Sequence, residues 1–84
     1  MNSKYNRFIV VDSYGHGIFG FHDVTRVYYG NDPVRAFKKA VNFAEEVDYE
    51  CALTFYDLST GWHTDIDTRD VSELVNRYRE RHSI

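Results

Sequence analysis

At 84 residues, 43% hydrophobic and 17% aromatic, the chain fits one domain, residues 1–84, near the size at which a single core is only just sufficient. That composition excludes a disordered chain, and the net charge of −3, from 13 acids and 10 bases, argues against direct nucleic-acid binding. One cysteine, Cys51, excludes an internal disulfide; no basic segment leads into an apolar run, and nothing approaches the roughly 20 apolar residues that span a bilayer, so a cytoplasmic protein with no membrane role is expected.

The first predicted strand covers Tyr5 to Asp12 around "FIVV", apolar on both faces as in a sheet interior. "DSYGHG" then turns the chain. Gly15, Gly17 and Gly20 lie between two strands and do not open a helix, so they lack the backbone geometry of a phosphate loop. A long second strand starts at Ile18, with Phe19, Phe21, Thr25, Val27 and Tyr29 alternating against His22, Arg26 and Tyr28, and a break at His22–Asp23. "NDP" starts a helix, with Asp32 as N-cap and Pro33 in the first position, where its missing N–H costs nothing. Phe37, Ala40, Val41, Ala44 and Val47 form its apolar face; Arg35, Lys38, Lys39, Asn42, Glu45 and Glu46 form its wet face.

"CALTFYDLSTGWHTDI" predicts a hairpin that turns at Ser59 to Gly61, where glycine takes positive φ. Period-two alternation sets Cys51, Leu53 and Phe55 with Trp62, Thr64 and Ile66 on one face, and Thr54, Tyr56, His63 and Asp65 on the other. Asp67 or Thr68 is expected to cap a last helix with the stripe Val71, Leu74, Val75 and Tyr78, and the tail "RYRERHSI" to fray. The order ββαββα is that of a two-layer α+β sandwich, a mainly antiparallel four-stranded sheet with two helices on one face. Both hairpins end a strand with Asp and turn through Gly, which ordinary turn chemistry explains without duplication.

Charge is distributed unevenly. Residues 1–44 carry six bases against three acids, +3, and residues 45–73 carry nine acids against Arg69 alone, −8. The last eleven residues return +2. Caps, turns and solvated helix faces account for Asp67, Asp70 and Glu73. The remaining acids, interleaved with aromatics, make a candidate docking surface for a basic protein: Asp48, Tyr49, Glu50, Tyr56, Asp57, His63 and Asp65.

Catalysis has little to stand on, and no enzyme activity is expected. Cys51 and His63 are nucleophile and base by type, yet no third residue orients them, and Cys51 sits where a strand's core alternation begins. His63 and Asp65, with Asp67 and His22, have the chemistry of metal ligands but not the spacing of a known site, so no metal or other cofactor is expected.

A compact, acidic, aromatic-rich domain without a chemical motif resembles the small phage-encoded inhibitors of bacterial defence, the anti-CRISPR proteins among them, in size, charge and layout across the whole chain. The resemblance implies an inhibitor that acts in the host cytoplasm by binding, blocking a basic nucleic-acid channel or subunit contact of a host nucleoprotein effector. Dedicated DNA mimics are far more acidic than −3, so any mimicry here is local. The alternative is a small structural or regulatory subunit that self-associates, as a homodimer, through a sheet edge or an open sheet face carrying Tyr5, Tyr28, Tyr29 and Tyr56.

Overall fold

A computed structural model describes residues 6–14 and 25–82. The elements run β1 (Phe8–Asp12), β2 (Thr25–Gly30), α1 (Pro33–Glu46), β3 (Leu53–Asp57), β4 (His63–Asp65) and α2 (Val71–His82). They form the α+β arrangement the sequence predicts. The sheet order is β2-β1-β3-β4, with every neighbouring pair antiparallel. The apolar-on-both-faces strand β1 is therefore central, between β2 and β3. Tyr5, the expected start of that strand, and the expected break at His22–Asp23 lie outside the described residues.

One phase of the central strands supplies the core. Phe8 and Val10 of β1 and Leu53 and Phe55 of β3 are buried beneath α1 and α2. Phe55 is the hub, stacked on Phe37 at 4.4 Å and on Phe8 at 5.5 Å, with Trp62 and Tyr78 edge-on near 6 Å. Such ring pairs add to the area they bury. From α1 come Ala36, Phe37, Ala40, Val41 and Ala44, whose small residues let the helix approach the strands closely. Its cap is the predicted one: the Asp32 carboxylate accepts from the N–H groups of Val34 and Arg35 at 3.0 and 3.2 Å.

Three local expectations need correcting. A register shift between Val10 and Val11, opposite Tyr28 and Arg26, leaves Val27 as an extra residue in β2 and reverses the side-chain phase there. Tyr28 thus packs on the helix side, where its hydroxyl accepts from the Asp32 N–H at 3.1 Å; a side chain at Gly30 would run into that hydroxyl. The cap of α2 is Asp70, which accepts from the Glu73 N–H, and neither Asp67 nor Thr68. The C-terminal segment is helical through His82, anchored by buried Tyr78.

Candidate functional site

The seven candidate residues separate into three places. Asp48, Tyr49 and Glu50 follow the end of α1 and are exposed. Tyr56, His63 and Asp65 lie on the sheet face away from the helices, also exposed. Asp57 is on neither surface: it shares the inward phase of Leu53 and Phe55, is fully buried and touches no solvent. As a docking residue it is ruled out by that phase, which the alternation from Leu53 already required.

The end of α1 is built against ordinary stability rules. Glu45 and Glu46 stand in the last turn, where the helix dipole favours cations, and no basic residue stands there. The chain leaves the helix through Asp48 and Tyr49, both left-handed at φ 52° and 64°. A Tyr in that region is strained by about 1–2 kcal/mol, where glycine would not be. The Tyr49 N–H closes the helix on the Ala44 carbonyl at 2.8 Å, and the Arg69 guanidinium lies 4.5 Å over the Tyr49 ring. Asp48 and Glu50 have no ion-pair partner among the described residues.

The open sheet face carries two rows that cross all four strands. One is Tyr29, Ile9, Tyr56 and His63; the other is Arg26, Val11, Thr54 and Asp65. Arg26 lies 5.1 Å over the Tyr29 ring, and the Tyr56 and His63 rings are 5.6 Å apart. No described element lies over these rows.

Beneath the other end of the sheet, Asp57 is the centre of a closed cluster. Arg7 holds its carboxylate through Nε and Nη2 at 3.0 and 2.9 Å. The Ser59 backbone N–H and hydroxyl donate to Oδ1, and the Tyr78 hydroxyl donates to Oδ2 at 3.2 Å. Burial alone would raise the carboxyl's pKa; the bonds from Arg7 and Ser59, with Arg7's charge, outweigh it and hold Asp57 well below the usual carboxylate range. The Tyr78 hydroxyl is raised by burial and by the Asp57 charge. His82 closes the cluster, with Nε2 3.3 Å from Asp57 Oδ2 and Nδ1 2.8 Å from the Tyr78 carbonyl. Sequence reasoning missed this cluster because its parts are 50 and 21 residues apart in the chain.

These contacts also thin the acidic segment. Arg77 folds back onto Asp67 at 3.1 Å and Glu73 at 2.9 Å, and Asp57 is matched by Arg7. The uncompensated acids are then concentrated at the end of α1. Cys51 packs toward the core, its thiol raised by burial and then by Asp12, whereas His63 faces the opposite side of the sheet, so the two do not meet. Among the described residues no three of His, Cys, Asp and Glu converge as metal ligands, and no helix is long and apolar enough to cross a membrane. No family model, curated protein or solved structure matches the chain.

Proposed function

We propose that the protein is a non-enzymatic binding module that docks the acidic end of α1 on a basic surface of a protein partner. One observation carries this: Glu45, Glu46, Asp48 and Glu50 cluster where the helix dipole disfavours them, on a turn strained at Tyr49. Charges and strain that oppose stability are readily understood as serving recognition. The partner class is a host protein whose basic surface binds nucleic acid, the kind of target that phage-encoded inhibitors of the anti-CRISPR type block, with the host cytoplasm as the place of action. Exposed acids of this kind steer association more than they add affinity.

The test is a pull-down from nuclease-treated bacterial lysate with the parent and with Asp48→Lys/Glu50→Lys as baits. A basic protein held by the parent and lost by the folded variant, with the difference shrinking as salt rises, is the expected result. The same catch with both baits sinks the proposal. A second reading, a self-associating subunit, is supported by the sheet face away from the helices, over which no described element lies.

A further inference from the structure

We infer that the open sheet face pairs with the same face of a second copy of this chain, about a two-fold axis that runs along the strands between β1 and β3. This deepens the self-association reading, on which it rests, and leaves the acidic end of α1 free.

The inference comes from the order of side chains in the two rows. Rotation about that axis lays β2 of one copy over β4 of the other and β1 over β3. Tyr29 then meets His63 of the second copy, and Ile9 meets Tyr56. In the other row Arg26 meets Asp65 of the second copy, and Val11 meets Thr54. Each contact occurs twice, as a two-fold interface requires. The face has the composition of such an interface, with half-buried Ile9 and Val11 on the central strand β1, Tyr56 and Thr54 beside them on β3, and the opposite charges Arg26 and Asp65 on its two outer strands. Neither Arg26 nor Asp65 has an ion-pair partner among the described residues. The other in-plane axis, across the strands, would set Arg26 opposite Tyr29 and Asp65 opposite His63, leaving both full charges unmatched; charge complementarity selects the axis along the strands.

Area sets the strength. Four strands about 4.8 Å apart and five residues of about 3.4 Å each give a face of roughly 300 Å². A standard interface covers about 800 Å² per partner, so this face falls well below standard size and the dimer is expected to be weak and concentration-dependent. Two faces packed at the usual spacing of about 10 Å leave room for the side chains to interdigitate.

The experiment is sedimentation equilibrium from about 10 μM to 1 mM, at low salt, on the parent, Arg26→Asp, Asp65→Arg and the Arg26→Asp/Asp65→Arg double swap. Both single variants put like charges opposite each other and should weaken the dimer about tenfold or more; the double swap restores the pair and should return to the parent's constant. Circular dichroism confirms that all four are folded, as expected for changes at exposed positions. If the single variants weaken the dimer and the double swap does not recover it, the two-fold arrangement is overturned. A dimer that all three variants leave unchanged overturns the use of this face, while self-association itself stands. A parent that is monomeric at 1 mM overturns both.

Discussion

Asp12 and Asp57 end the two central strands at diagonally opposite corners of one ladder, and both point toward the helix side. Both also take a local backbone N–H two residues on, Tyr14 for Asp12 and Ser59 for Asp57. There the likeness stops. Among the described residues Asp12 adds the Ala52 N–H at 3.0 Å, and it remains half-exposed. Asp57 is roofed by Tyr78 and His82 of α2, met by Arg7, and sealed. The same residue in the same turn chemistry is a loop staple at one corner and a buried ionic anchor at the other, and what separates them is that Asp57 also meets a cation, Arg7, and the side chains of α2.

The largest break in this comparison is Arg7→Ala, which leaves the buried Asp57 carboxylate without its cation. Loss of one member of a buried pair costs about 3–5 kcal/mol; Arg7 is itself 42% exposed, so water partly replaces it and about 3 kcal/mol is expected in urea denaturation. Asp57→Asn removes the charge as well and should cost about 2 kcal/mol. The double variant should lose less than the two losses added, because the groups share one contact. Tyr78→Phe, which deletes one bond to the carboxylate, should cost about 1–2 kcal/mol. Asp12→Ala, at the open corner, should cost about 1 kcal/mol by the same measurement. Equal losses at Asp12 and Asp57 would mean that the buried anchor is no stronger than the loop staple.

Acid sharpens the contrast. The Asp57 carboxyl is depressed in the folded protein relative to its unfolded value of about 3.9, so its stabilisation is complete above about pH 5 and is lost progressively as pH falls from there toward and below 2. The parent should lose stability across that window. Arg7→Ala, lacking the main cause of the depression, should lose less, so the gap between parent and variant narrows as pH drops. A gap that stays constant from pH 6 to pH 2.5 would show that Arg7 does not set the protonation of Asp57.

What could be read from the sequence was what is local. Asp32 and Pro33 announce the start of α1 because cap and helix are adjacent in the chain, and Gly61 takes the positive φ, 80°, that its hairpin needs. The alternation from Leu53 to Phe55 and from His63 to Asp65 fixes which residues leave the core. Extending it two residues would have buried Asp57, but an Asp at a strand end looks like a turn residue until its cation is known, and Arg7 is 50 residues away. Val27 escaped notice for the same reason: a bulge is defined by the strand opposite, not by its own sequence. Arg77 likewise looks like tail charge, and only the fold sets it against Asp67.

The central position of β1 has a consequence for synthesis on the ribosome. The strand "FIVV" is made before its partner β3 and before Asp57, the acid that neutralises Arg7 and lies 50 residues further along. At about 5–20 residues per second, the nascent chain holds an apolar strand without its central partner for roughly 3–10 seconds. Until then β2 is the described strand that pairs with β1, and a two-stranded hairpin is marginal in water. Synonymous codon changes that slow translation after Glu50 should therefore raise the insoluble fraction of newly made protein while leaving the folded molecule unaltered.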